Sequence, residues 1–315
     1  MGEANIVVTY VREGEFPEAY IAGELKDSHA KTIPGSNSVT GYSTTTRVDT
    51  CHGCFIRKGK EFARRIAASG INVVLVVRRE SLLDEVGQGL AKDFNVQYRT
   101  VVADLSQEGF LDKLAEATND LDIGLVVSNA GTGNPGEFLK IDRGELENLL
   151  RLNTLAHLDI AHHFGRRLAG RGQGGLLFVG AMGADKGLPY MANDGGAKAY
   201  VQSFSEGLHV ELKPLGVHVT VLPPGPTDTP VIAKLGLTPD TMPMKPMAVE
   251  QCVSEGLKAL QENRSMIIPG RLNRIMNAVV PASLVRGMMA KMFKKTLAKP
   301  QPQVKPQTQP QPKPR

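Results

Sequence analysis

From residue 58 onward the chain alternates short apolar runs with helical stretches, and that alternation constrains the fold more than any other feature. The runs are Asn72–Val77, Tyr98–Val102, Ile123–Val127, Gly175–Val179, Val217–Leu222 and Met266–Ile268. Between them lie Lys60–Ser69, Leu82–Asp93, Gln107–Thr118, Arg143–Gly170, Asn193–Pro214 and Val249–Asn263, all with helical spacing of apolar residues. Such an order predicts an α/β fold, a doubly wound parallel sheet (Rossmann-like) with helices on both faces, in a single domain. At 315 residues and 41% apolar content the chain can bury an ample core.

The two ends read differently. Residues 1–50 form an irregular N-terminal segment with one plausible strand, Ile6–Val11, before a polar Ser/Thr/Gly stretch. The alternating domain is expected over 51–275. Residues 276–298 hold a basic amphipathic helix, with Leu284, Val285, Met288, Met289, Met292 and Phe293 on one face and Arg286, Lys291, Lys294 and Lys295 on the other. Two readings fit it: a cap that lays its apolar face on the domain, which is favoured, or a weak contact with an anionic membrane surface. Residues 299–315 read as a disordered Pro/Gln-rich tail.

Charge excludes one function class. No acid follows Glu262, while residues 263–315 hold 11 of the 37 Lys and Arg; residues 1–262 therefore carry 26 cations against 32 acids. A mildly acidic body is a poor nucleic-acid binder, because holding phosphates calls for a basic face. No apolar run approaches the ~20 residues of a membrane span. The early acids of MGEANIVVTYVREGEF do not suit a secretory signal, and three cysteines suit a reducing compartment, so a cytoplasmic location is expected.

Several motifs fall at fixed places on the alternation. Asn129-Ala130-Gly131 follows the strand Ile123–Val127, Asn153 lies in the long helix after it, and Lys198 lies in the helix after Gly175–Val179. Pro224-Gly225-Pro226-Thr227-Asp228-Thr229 ends the strand Val217–Leu222, and Asp104-Leu105 follows Tyr98–Val102. In this order the chain resembles the short-chain dehydrogenase/reductase family over about residues 59–270. The resemblance implies a dinucleotide lying across the carboxyl ends of the strands. It implies that Asn129, Ala130 and Gly131 approach the adenosine and ribose, that Asp104 accepts from the adenine amino group with Leu105 beside it, and that Pro224, Gly225, Thr227 and Thr229 hold the nicotinamide end. Arg78-Arg79 ends the strand Asn72–Val77, where an NAD site would place an acid. Two guanidinium groups there suit a 2′-phosphate, so NADP is the expected cofactor.

The same resemblance exposes two failures. The family places a Tyr four residues before its helical Lys and a Ser thirteen before the Tyr; counting back from Lys198 gives Asp194 and Ala181. A phenol lowered toward working pH passes a proton while hydride moves. Asp194, one turn from Lys198, favours the ionised carboxylate, which has no proton to give and is a weak base. Tyr190 follows Pro189 and stands eight positions from Lys198, badly placed to substitute. Of the four catalytic positions Asn153, Ala181, Asp194 and Lys198, only Asn153 and Lys198 match.

The second failure is the phosphate-binding loop, expected as T-G-x-x-x-G-x-G ahead of the first helix. Gly59 fits the last glycine; before it stands Cys51-His52-Gly53-Cys54. Read one base later, degenerate codons for CHGCFIR can encode Val-Thr-Gly-Ala-Ser-Ser-Gly, and Lys58 lies one base from Ile. The shifted text is the missing loop, and Arg47–Thr50 shifted likewise can supply an apolar strand. We read residues up to 58 as containing a frame-shifted stretch. Zinc would need four ligands, and a thioredoxin-like pair would need a preceding strand, so no metal site is expected.

Two functions stay open. One is an NADP(H)-linked oxidoreductase acting on a carbonyl or alcohol; the other is a non-catalytic protein that binds a ligand or partner. Lyase or cyclase chemistry through Asp194 is a third, less favoured reading. Met242, Met244 and Met247 in Val231–Met247 suit an adaptable lid over a hydrophobic small molecule, or an ordinary Pro-rich loop. A homo-oligomer is compatible with all of these.

Overall fold

The apolar runs become strands, five of them pointing the same way. The computed structural model describes residues 6–11, 53–78, 80–228 and 245–297. Its sheet contains β1 (Ile6–Val11), β2 (Asn72–Val77), β3 (Tyr98–Val102), β4 (Asp122–Ser128), β5 (Gly174–Val179) and β6 (Val217–Leu222), in the spatial order β3-β2-β1-β4-β5-β6. Pairs β2–β3, β4–β5 and β5–β6 are parallel. The helices are α1 (Gly53–Ala68), α2 (Glu80–Phe94), α3 (Phe110–Glu116), α4 (Arg143–Leu150), α5 (Ala156–Arg171), α6 (Ala192–Leu212), α7 (Val249–Gln261), α8 (Arg271–Val279) and α9 (Ala282–Leu297).

Alternate residues of each strand face opposite layers. Val74 and Val76 of β2, with Val126, Leu176, Phe178, Val219 and Val221, pack against Leu114 of α3, Ile160 and Phe164 of α5 and Val201 of α6. Val73 and Leu75, with Val127, Leu177 and Val179, pack against Phe62 and Ile66 of α1, Leu90 of α2 and Val253 and Leu257 of α7. The sheet is thus covered on both faces, as the alternation predicts. The run Met266–Ile268 contributes only one parallel bridge, Met266 to Val221, beside β6.

The central strand departs from the all-parallel expectation. β1 lies between β2 and β4 and runs antiparallel to both, with a register shift between Thr9 and Tyr10. A slot between two strands presents backbone donors and acceptors on both sides, and leaving them unpaired in the core is costly. Ile6–Val11 is almost continuously apolar, which suits a strand enclosed on both faces. Forty-one residues separate it from α1, so no short strand–helix turn dictates its direction.

Two further expectations change. α1 begins at Gly53, so Gly59 sits inside the helix and not in a loop before Lys60. No Pro interrupts residues 53–59, so nothing in the local sequence stops the helix at Gly59. The long helix expected over Arg143–Gly170 is interrupted at Arg151–Leu155 by a π-helical turn joining α4 to α5.

Candidate functional site

The site is assembled at the carboxyl ends of β4, β5 and β6. The π turn carries Asn153, which is fully buried. One extra residue in the turn rotates a side chain relative to a regular helix, a device common at functional sites. Here the carboxamide meets the loop after β4: Thr132 N–H donates to Asn153 Oδ1 at 2.8 Å, and Asn153 Nδ2 donates to Thr132 O at 2.8 Å. The same Nδ2 donates to Asp194 Oδ1 at 2.9 Å. Asn153 therefore ties the β4 loop to the first turn of α6.

Lys198 stands one turn further along α6 and is buried. Its Nζ donates to Val179 O at 3.2 Å and Ala130 O at 3.4 Å, the carbonyls at the ends of β5 and the β4 loop. Asn129, Ala130 and Gly131 are buried beside it. Ala181 follows β5; its carbonyl accepts from Gln202 Nε2 at 2.9 Å, and its methyl offers no hydroxyl. The structure thus brings Asn153, Asp194 and Lys198 together at the ends of β4 and β5, with Ala181 joined to α6 through Gln202. Tyr190 lies at the edge with a left-handed backbone, φ 62°, its carbonyl accepting from Gly136 N–H.

The turn after β6 closes the far side. Pro224 O accepts from Met182 N–H, and Thr227 Oγ1 donates to Gly225 O. A Cβ on Gly225 would come within 2.9 Å of the Asn273 side chain, so glycine allows α8 to approach this turn closely. Thr227 pairs with Met247 in a short bridge. Thr229, Met242 and Met244 lie outside the described residues, as does the rest of the expected lid up to residue 244.

At the ends of β2 and β3, Arg78 Nη1 lies 3.5 Å from Asp104 Oδ2, an ion pair left partly open to solvent. Asp104 Oδ1 also accepts from Ser106 N–H and Oγ. Leu105 is buried in the core. Arg79 and Cys51 lie outside the described residues, and so does the side chain of Cys54.

The pyrophosphate end is built differently from the expectation. α1 extends six residues, about 9 Å, ahead of Gly59. Arg57, within that extension, donates to Asp228 O at 3.4 Å and so reaches the turn after β6. The residues fit a dinucleotide at its adenine and nicotinamide ends, where the β4 loop is buried and small and Lys198 is enclosed. At the pyrophosphate position the described residues offer the first turns of α1, where Gly59 is helical and not part of a loop.

Sequence reasoning missed one pair. His157 is fully buried one turn after Asn153, with Nδ1 2.6 Å from Ser128 Oγ. Burial, then the Lys198 charge, lowers its pKa to about 3, against a smaller opposing effect of the Ala130 backbone. The imidazole is therefore neutral at physiological pH. The i, i+4 spacing to Asn153 is the signal that places it beneath the same loop.

Comparison with known proteins settles the family. A family model described as short chain dehydrogenase matches residues 58–239. The chain belongs to the short-chain dehydrogenase family. The 7β-hydroxysteroid dehydrogenase of Clostridium sardiniense is 29% identical over 222 residues, 69% of this chain and 82% of that enzyme. The very-long-chain 3-oxoacyl-CoA reductase of Neurospora crassa is 37% identical over 166 residues, but the match spans only 50% of the reductase. Among solved structures, a short-chain dehydrogenase from Sphingobium yanoikuyae in complex with NADPH superposes with a TM-score of 0.64 at 25% identity, covering 80% of this chain and 95% of that one. A 7β-hydroxysteroid dehydrogenase structure gives a TM-score of 0.68 at 28% identity, covering 74% and 92%. Short-chain dehydrogenases are oxidoreductases, and this member has the family's α/β sheet with one strand reversed. Its family match begins at Lys58, next to the glycine where the shifted reading frame would rejoin.

Proposed function

We propose that this chain is an NADP(H)-linked oxidoreductase of hydrophobic carbonyl or alcohol substrates in which two changes, at the proton-transfer site and at the phosphate loop, suppress turnover. The observation that carries the proposal is the buried Asn153, bonded to Thr132 and Asp194 and set beside an enclosed Lys198. Asn153 and Lys198 are the two catalytic positions that match the family resemblance. NADPH, when bound, supplies the hydride. The chain's own residues would position the nicotinamide through Lys198 and the Pro224-Gly225 turn, while Arg78 would exchange Asp104 for a 2′-phosphate. Similarity to enzymes named for hydroxysteroids and very-long-chain 3-oxoacyl-CoA supports a bulky apolar substrate.

A second reading, a binding protein without turnover, is favoured by one contact. Asp194 Oδ1 accepts the Asn153 amide proton, so this contact uses Asp194 as an acceptor where a reductase needs a proton donor. The family match starting at residue 58 supports the frame-shifted origin of the loop. The test titrates NADPH while nicotinamide fluorescence is followed. The chain as written should bind weakly, and replacing residues 51–58 with Val-Thr-Gly-Ala-Ser-Ser-Gly-Ile should restore binding. In the restored protein, Arg78→Ala should weaken NADPH more than NADH. Micromolar NADPH affinity in the unaltered chain would overturn the account of the loop. An intact frame in resequenced DNA and transcript would overturn the account of its origin.

A further inference from the structure

α8 is an amphipathic helix packed inside out. Its most deeply buried side chain is polar: Asn273 is 6% exposed, donates to Pro269 O at 2.8 Å and lies against Gly225. Its outward side chains are apolar: Leu272, Ile275 and Val279 are 61%, 57% and 66% exposed. Positions 272, 275 and 279 follow i, i+3, i+7 spacing, so they form one stripe. Arg271 lies on the same outward side.

The stripe is not the accident of a loosely held end. Arg274 donates to Ile268 O and pairs with Glu255, whose carboxylate also accepts from Gly270 N–H. At the other end, Lys186 Nζ donates to Asn277 O and Val280 O, and Arg286 donates to Lys186 O. Helix α9 continues the pattern. Phe293 is buried against the body, as a cap requires, but Leu284 and Met288 face outward, against the expectation that all its apolar residues turn inward. They share i, i+4, i+7, i+11 spacing with Lys291 and Lys295, both exposed, and Lys294 is exposed nearby. A short helix presenting sixteen residues to one domain surface buries one side, and the opposite side carries whatever remains. No acid occurs after Glu262 to neutralise these cations.

We propose that the outer face of α8 and α9 docks on the headgroup layer of an anionic lipid bilayer. Leu272, Ile275, Val279, Leu284 and Met288 would enter the acyl boundary, and Arg271, Lys291, Lys294 and Lys295 would meet the anionic headgroups. An apolar stripe bordered by cations, with no acid in either helix, is the composition such an interface selects. The helix lies in the surface plane and does not span it; among the described residues no helix is long and apolar enough to cross a membrane. Because Asn273 packs on the turn after β6, docking would set that turn just beneath the helix that meets the lipid. The proposal stands on the two helices alone and does not depend on the cofactor reading.

The test floats the full chain on phosphatidylcholine vesicles with and without 30% phosphatidylglycerol. Binding should require the anionic lipid and fall as salt rises. Leu272→Ser, Ile275→Ser and Val279→Ser together should lower partitioning by at least about tenfold, from the loss of apolar burial. Reversing Lys291, Lys294 and Lys295 to Glu should lower it by about fivefold per cation removed. Circular dichroism checks that both variants remain folded, as expected for exposed positions. Equal recovery on neutral and anionic vesicles, or unchanged binding by the triple serine variant, would overturn the proposal. So would a dimer that the serine substitutions convert to monomer without vesicle binding in the parent, which would make a second copy the occupant.

Discussion

Replacing Asn153 with Ala tests whether this residue holds the site together. Its carboxamide makes three hydrogen bonds of 2.8, 2.8 and 2.9 Å, and the residue is fully buried. Alanine would leave the Thr132 N–H and C=O without the Asn153 carboxamide and remove its bond to Asp194 Oδ1. A buried group left without its partner costs about 1–3 kcal/mol, with the low end appropriate here because Thr132 is only partly buried. Adding a small cavity gives a loss of about 3 kcal/mol. For a body of this size each kcal/mol lowers Tm by about 2–4 °C, so the melt should fall by about 6–12 °C. Asn153→Asp keeps the shape and the acceptor for Thr132 N–H, yet sets its second oxygen, in place of Nδ2, against both Thr132 O and Asp194 Oδ1. It should therefore destabilise at least as much as alanine. Adding Asp194→Asn returns a donor to one of these contacts, and a double-mutant cycle should give a favourable coupling of about 1 kcal/mol or more. Scanning calorimetry measures all four proteins. An alanine variant melting within about 2 °C of the parent, or an aspartate variant more stable than alanine, would refute the reasoning.

His157 should make stability fall in acid. Its folded pKa of about 3 lies below the ordinary 6.5, so between these values the unfolded chain binds a proton that the folded chain refuses. Stability is complete above about pH 6.5 and falls as pH drops toward 3, by up to about 1.4 kcal/mol per pH unit. Urea melts of His157→Gln should show a slope smaller by nearly one proton; parallel slopes for the two proteins would contradict this. Gly216→Ala should cost at least about 2 kcal/mol, because φ is 74° and the new Cβ would lie 1.9 Å from Gly172 O. An unchanged Tm would mean that this corner is not as tight as described. In the protein with residues 51–58 replaced, Asp194→Tyr with Ala181→Ser should raise ketone reduction by about two to four powers of ten. Robust turnover with Asp194 retained would show that the carboxylate or a water supplies the proton.

Much of the architecture was legible because it rests on local chemistry. β2, β3 and β6 coincide with the apolar runs read from sequence; β2 and β6 are buried along most of their length on both faces, where a strand must be apolar, while the edge strand β3 is only partly covered. The order of Asn129, Asn153, Lys198 and Pro224 along that alternation was enough to point to the family, because the succession of strand ends and following helices that carries them is fixed by the chain itself. The absence of hydroxyls at positions 181 and 194 was equally plain, since it is a matter of residue identity alone.

What remained hidden depends on how distant segments compete for the same space. Ile6–Val11 was readable as a strand, but only the open slot between β2 and β4 decides that it fills the centre of the sheet, and in reverse. The π turn that aims Asn153 is set by its bonds to Thr132 and Asp194, 21 and 41 residues away. The neutral His157 follows from enclosure next to Lys198, which no one-dimensional pattern expresses. A helical wheel shows that α8 has an apolar side, but not which side the body will take. Asn273 is drawn inward by Pro269 and the space above Gly225, and Leu272, Ile275 and Val279 are turned outward as a consequence. Sequence determined which residues prefer to be buried; tertiary packing, with room for only one face of each helix, decided which of them were.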